Sequence, residues 1–307
     1  MLRYVLRRIL YAIPIALGVS LVCFSLVHLA PGDPLSAVLP ETATPEQIAE
    51  IKADYGFDKP LPIQYLKWLG RALVGDLGSS IKTGRPVMQE IAPAIGNSIL
   101  LALAAIVLAF CVGCGLGVLA GYVRSRAADS VVTAVAITGV SIPHYWLGMV
   151  LIVIFSVEMN LLPASGMGAP DWQHMILPAI TLASIPMGII ARSIRASVIE
   201  TRKQEFVQTL YAKGLPARKV FRHVAKNVAP TVMAVMGLQF AQMLGGSILV
   251  ETVFAWPGTG FLMNSAIFTR DLPILQGTIL VLAMLFVAMN LAVDILQMMM
   301  DPRIKRN

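Results

Sequence analysis

Charge is scarce in this 307-residue chain. Its 24 basic and 17 acidic side chains make up 13% of the residues, where soluble domains carry roughly a quarter. Together with a 57% hydrophobic content, that scarcity excludes a water-soluble globule. Aromatic residues are few, at 7%, and sparse along the expected spans that would form a pore, so no platform for stacking sugars is expected there. Cysteine occurs at Cys23, Cys111 and Cys114, always inside an apolar stretch. The Cys111-x-x-Cys114 spacing would suit zinc or redox chemistry only beside a second ligand pair, and none is near, so these are small packing residues. His28, His144, His174 and His223 show no His-Glu-x-x-His spacing, and no Ser/His couple or Asp pair falls on facing segments, so neither metal ligation nor hydrolytic chemistry is supported. His144, beside Tyr145 and Trp146, reads as an interfacial residue. A phosphate-binding Gly-x-x-x-x-Gly-Lys-Ser/Thr loop is missing too. Its nearest mimic, Gly70 to Gly75, continues into Asp76-Leu77.

What the chain does have is length without charge. No Asp, Glu, Lys or Arg occurs in 9–32, 91–123, 130–157, 172–191, 227–250, 252–269 or 272–293, and about 18 such residues suffice for a membrane span. The run at 252–269 holds Trp256-Pro257-Gly258-Thr259-Gly260 and is broken as a straight helix. The remainder predicts an all-α polytopic membrane protein with six transmembrane helices, at about 9–30, 96–123, 130–157, 175–198, 229–251 and 277–299. Arg3, Arg7 and Arg8 before an apolar run also suit a secretory signal, but His28-Leu29-Ala30 lacks a small-x-small cleavage pattern. Residues 1–30 therefore read as an N-terminal segment and first span, 31–95 as an outer loop subdomain, and 96–307 as a five-helix core.

Orientation follows the basic residues. Segments 1–8, 124–129, 192–226 and 301–307 hold 3, 2, 9 and 3 of them, against 6, 0 and 1 on the alternate side. The six lie in the long 31–95 segment beside eight acids, and long loops cross regardless of charge. Both termini are expected in the cytoplasm. The net charge of +7 is this asymmetry, and nothing else supports nucleic-acid binding.

In the outer segment, Thr44-Pro45-Glu46-Gln47 resembles a helix start, followed by Ile48, Ile51 and Tyr55 on one face and a stop at Gly56. Leu61, Ile63, Tyr65, Leu66, Trp68 and Leu69 could form a compact cap or lie at headgroup level. Two acids mark the spans. Asp294 lies about 9 Å inside the last one and reads as a structural partner for Arg192 or Arg195, although intramembrane acids are functional candidates by default. Glu251 precedes the Trp256-Pro257-Gly258-Thr259-Gly260 break and either shapes an outer vestibule or bonds the freed backbone.

The segment at about 200–228 is the most informative. Lys203, Lys213, Arg218, Lys219, Arg222 and Lys226 interleave with Phe206, Val207, Leu210, Val220, Phe221 and Val224 at helical offsets. Two short amphipathic helices are expected, separated by Gly214-Leu215-Pro216, which supplies a left-handed position and a new first turn. Such a corner either rests on anionic lipid or presents Phe206, Leu210, Tyr211 and Leu215 to a partner's groove.

Glu205-Phe206-Val207-Gln208-Thr209-Leu210-Tyr211-Ala212-Lys213-Gly214-Leu215 resembles the cytoplasmic loop motif of ABC importer permeases, specifically the dipeptide/oligopeptide/nickel family. Further matches run along the chain: Ala30-Pro31-Gly32-Asp33-Pro34, Gly75-Asp76-Leu77-Gly78-Ser79-Ser80, Thr83-Gly84-Arg85-Pro86-Val87, Leu162-Pro163-Ala164-Ser165-Gly166, Val250-Glu251-Thr252-Val253-Phe254 with Trp256-Pro257-Gly258-Thr259-Gly260, and Asp301-Pro302-Arg303. Their order resembles the first of the two permeases such transporters use. The resemblance implies a type I importer permease in a bacterial or archaeal cytoplasmic membrane. It also implies a heterodimer with a second permease, two cytoplasmic ATPases carrying ATP and Mg, an external substrate-binding protein, and no cofactor on this chain. Glu205, Phe206, Thr209, Leu210, Ala212, Lys213, Gly214 and Leu215 would form the helix that docks on an ATPase. Two departures stand out: Leu210 replaces a common Ala, and Pro230 comes one residue early after Asn227. The rival class, an ion-coupled secondary transporter, needs broken helices with a deep acidic pair. Pro143 and Pro186 have no such company.

Overall fold

The computed structural model describes residues 2–29, 44, 46, 49, 58–123, 130, 134, 141–168 and 172–300. Most of the helix expected from Thr44 to Gly56, most of 130–140 and the Asp301-Pro302-Arg303 end lie outside the described residues. Within them the chain is helical: α1 (Leu2–Leu29), α2 (Leu61–Leu73), α3 (Val87–Tyr122), α4 (His144–Leu151), continued by a π-helical segment Ile152–Glu158, α5 (Gln173–Lys203), α6 (Glu205–Ala212), α7 (Ala217–Gly246), α8 (Ile248–Val253), α9 (Thr259–Thr269) and α10 (Leu272–Met300). α3, α5, α7 and residues 272–295 of α10 are long and apolar enough to cross a membrane. The first and third expected spans are represented by the shorter apolar stretches Ile9–Ser25 and His144–Glu158. No helix needs a partner for its backbone, which suits a solvent without hydrogen-bond donors.

Two compact units share the chain, and each is built from separated stretches. The first comprises residues 1–98 and 256–288. In it α2 lies against α1: the Ser20 and Tyr65 hydroxyls are 2.7 Å apart, and Phe24 meets Tyr65 edge-on with ring centroids 5.5 Å apart. A tight turn at 79–86, closed by the Ser80 amide on the Arg85 carbonyl at 2.9 Å, leads into α3. Val87 and Ile91 of α3 then bury themselves with Ala266 and Ile274. Asp271, 3% exposed, ties this turn to the start of α10. It accepts from Ser80 Oγ at 2.5 Å and from the Lys82 and Ile274 amides at 3.3 Å.

The second unit comprises 99–255 and 289–307. Its core is α5, packed on α7 and on α3. Gly113, Gly117 and Gly121 line one ridge of α3, and the approach to α5 is close. A Cβ at Gly113 would stand 2.8 Å from the Met187 carbonyl oxygen, one at Gly117 2.5 Å from that of Ala191, and one at Gly121 2.7 Å from a Val198 methyl. Small residues four apart let two backbones meet where no hydrophobic effect drives helices together.

The fifth expected span is corrected in both directions. α7 begins at Ala217 and runs through Pro230 to Gly246, so the second short amphipathic helix is its opening turns. It ends before 251, because the chain breaks at Ser247 and restarts as α8.

Candidate functional site

The corner between α5 and α7 is assembled by local rules. α5 stops where Gln204 turns extended, with φ −70° and ψ 147°, and its carbonyl receives the Val207 amide at 3.0 Å. α6 follows and ends in a paired closure: the Gly214 amide donates to the Tyr211 carbonyl at 2.9 Å and the Leu215 amide to that of Leu210 at 3.2 Å. That pair is the Schellman arrangement, which needs a left-handed residue after the cap. Gly214 provides it with φ +71°. Pro216, at φ −63° and ψ 147°, then opens α7.

α6 touches both α5 and α7 and is pinned by Val207, 1% exposed. Its other side faces outward. Glu205, Gln208, Thr209, Ala212, Lys213 and Gly214 are exposed, and Thr209 Oγ1 bonds back to the Glu205 carbonyl at 3.0 Å. Of the expected apolar knob, Tyr211 is 51% exposed, while Phe206, Leu210 and Leu215 are half-buried. The surface offered is therefore mainly polar. Leu210 occupies the position whose carbonyl accepts the Leu215 amide, where the motif favours an apolar side chain, so its departure from Ala fits the turn.

The base of the corner is knit by Arg202, on the last turn of α5. Its Nη1 donates to the Gly121 and Tyr122 carbonyls at 2.9 Å each, satisfying two groups that the end of α3 leaves open. Its guanidinium lies 4.5 Å from the centre of the Tyr122 ring, and that ring is 5.4 Å from Phe221. Sequence reasoning passed over Arg202 as one basic residue among many; its place before an extended residue at a helix end was the available signal.

The remaining candidates fall elsewhere. Glu251 is fully buried in α8 and accepts from Ser247 Oγ at 2.7 Å, at the break that ends α7. Asp294 is half-buried on α10, as is Arg195 on α5, while Arg192 is exposed. Trp256, 1% exposed, donates its indole Nε1–H to the Asn97 carbonyl at 3.0 Å. The Pro257 carbonyl accepts Asn97 Nδ2 at 2.8 Å, and the Thr259 amide donates to Ser98 Oγ at 2.8 Å. Gly258 and Gly260 are buried beside them. The Trp-Pro-Gly-Thr-Gly break is thus the N-terminus of α9 latched to α3. Asn97 and Ser98 went unnoticed in sequence, although two adjacent polar residues in a charge-free run were a visible cue. His144 Nδ1 sits 3.2 Å from the Thr181 carbonyl of α5. Among the described residues no cluster of His, Cys, Asp and Glu could hold a metal.

A family model described as binding-protein-dependent transport system inner membrane component matches residues 113–306, and the N-terminal membrane component model of such systems matches 1–102. The dipeptide transport system permease protein DppB of Alkalihalophilus pseudofirmus is 37% identical over 99% of this chain and 100% of its own length. DppB of Escherichia coli is 36% identical over 99% of each chain. The glutathione transport system permease protein GsiC of Salmonella choleraesuis is 38% identical, again over 99% of each. On matches that run the length of the chain, it belongs to the family of inner membrane components of binding-protein-dependent transport systems, and it is a transport permease subunit rather than an enzyme.

Proposed function

We propose that this permease carries a dipeptide, oligopeptide or closely related solute, and that force from separate ATPase subunits enters it through Glu205–Leu215. The observation that carries the reading is the corner itself: a short helix with a polar outer face, closed by a left-handed glycine and held between two long apolar helices. Relatives named for dipeptide and glutathione transport support the cargo class.

In this reading two cytoplasmic ATPases hold ATP and Mg, and an external binding protein delivers the cargo. A second permease completes the path. Closure of the ATPases moves the corners together, and rigid helices convert that motion into alternating access. Glu205, Phe206, Thr209, Leu210, Ala212, Lys213, Gly214 and Leu215 form the docking element. Glu251, Asp294 and the Trp256-Pro257-Gly258-Gly260 latch set the geometry of the path. Residues 31–95 form the outer subdomain, and both termini are cytoplasmic. A free-standing ion-coupled transporter is disfavoured by the family.

Gly214→Pro tests the coupling role. Proline cannot adopt φ +71° and has no amide for the Tyr211 carbonyl. The variant is expected to insert and assemble while uptake of labelled dipeptide falls at least about tenfold, whereas Gly214→Ala meets no atom within 4 Å and costs about 1–2 kcal/mol of backbone strain. Normal uptake by Gly214→Pro would sink the coupling role, and uptake insensitive to competing peptides would sink the cargo class.

A further inference from the structure

α3 and α7 leave an apolar cleft between them, with α5 as its floor. Phe110, Cys114, Val118 and Tyr122 recur at every fourth position of α3, and Phe221, Ala225, Ala229 and Met233 do so on α7. The buried side chains of Ile194, Val198, Val224 and Val228 close the bottom. The cavity is about 280 Å³ and open along one side. Each row rises about 18 Å at 1.5 Å per residue, close to the ~15 Å depth of one leaflet's hydrocarbon.

The two ends of the cleft differ in character. Toward Phe110 and Met233 the walls are apolar throughout. Toward Tyr122 the surroundings are basic: Arg202 ends α5, and Arg218, Lys219, Arg222 and Lys226 occupy the opening turns of α7, whose first turn has no acid. Glu200 and Glu205 are the acids on the neighbouring turns of α5 and α6. Arg202 reaches this end of the cleft, its guanidinium lying 4.5 Å from the centre of the Tyr122 ring.

We propose that the cleft is a binding site for an anionic phospholipid, with one acyl chain along it and the phosphate at its basic end, toward Arg202 and the opening turns of α7. Size and chemistry select this occupant. A helix is 10–12 Å wide and does not fit a cavity of about 280 Å³. A peptide cargo would bring charged termini to a wall that offers them nothing. An acyl chain needs only apolar contact, and the basic residues at the mouth complement an anionic headgroup. The site rests on the membrane assignment and not on the coupling role of α6.

The test uses the chain purified with its transport partners in nanodiscs of phosphatidylethanolamine, carrying a trace of phosphatidylglycerol with a photoreactive acyl tail. Cross-linked peptides are mapped by mass spectrometry. Labelling is expected to concentrate on 110–122 and 221–233, with at least about fivefold preference over the same probe built on phosphatidylcholine. Ala225→Trp, which fills the cleft, should reduce it at least about fivefold. Arg222→Gln with Lys226→Gln, both exposed on the opening turns of α7, should narrow the headgroup preference even if Ala225→Trp fails to fold. The proposal is overturned by labelling spread evenly onto exposed Leu10, Ile13 and Val107, by equal labelling with the phosphatidylcholine probe, or by no labelling, which would mean that protein covers the cleft.

Discussion

Asp271 shows how much one buried carboxylate can organise. Ser80 Oγ and the Lys82 and Ile274 amides all converge on it, so truncation strands three donors at once. Asp271→Ala is expected to destabilise the unit of residues 1–98 and 256–288 by about 1–3 kcal/mol per stranded group at most, read as a fall in melting temperature in detergent. Ser80→Ala, which removes a single donor, should do less. A second acid, Asp76, is set up to respond to pH. Burial pushes its pKa upward, but the Gly78 amide at 3.0 Å and Arg71 at 2.8 Å outweigh burial and hold it below the ordinary aspartate range. A lowered pKa means that the contribution is present above the unfolded value, about 3.9, and lost as pH falls through the folded one. Hydrogen exchange at Gly78 should therefore show an extra acceleration only in that acid range, and Asp76→Asn should remove it.

Among the helices, the α3–α5 contact depends on glycine at a fixed register. A methyl at Gly117 meets the Ala191 carbonyl oxygen at 2.5 Å and Ile194 Cβ at 2.9 Å, and a backbone carbonyl has no rotamer to yield. Gly115, two residues away, has nothing within 4 Å. Gly117→Ala is expected to lose about 1–3 kcal/mol and Gly115→Ala to be neutral or slightly stabilising, compared by thermal unfolding in one detergent. The Gly-x-x-x-Gly-x-x-x-Gly spacing of 113–121 was legible in the sequence, but the carbonyls it faces were not, since α5 is tens of residues away. Hydropathy located four of the six expected spans on helices long and apolar enough to cross a membrane, because lipid selects against charge. It misplaced their ends for the same reason: α7 continues past Lys226 and Arg222 to Ala217, where hydrogen bonding persists after the apolar stretch has stopped. The corner was legible from Gly214-Leu215-Pro216, whose backbone demands are local. Which of its side chains point outward was not, because α5 and α7 together bury the faces of Phe206 and Leu210 that a free helix would display.

At the scale of the whole molecule, the distribution of basic residues makes a statement about sidedness that chemistry can read. In a chain freed of Cys23, Cys111 and Cys114, a cysteine at Lys213 is expected to react with an impermeant maleimide only from the cytoplasmic side, and one at Leu66, which is 66% exposed, only from outside. Reversed accessibility would overturn the proposed orientation, and with it the proposed docking of ATPases on α6. Mechanical geometry adds a last point. Arg202 stands three residues before Glu205 and grips the final carbonyls of α3, so the end of α5, from which α6 departs, is joined to the end of α3 through one guanidinium. On the proposed docking role of α6, a push on it would reach α5 and α7 along the chain and, through this one guanidinium, the end of α3 as well, a helix to which α6 has no direct covalent link.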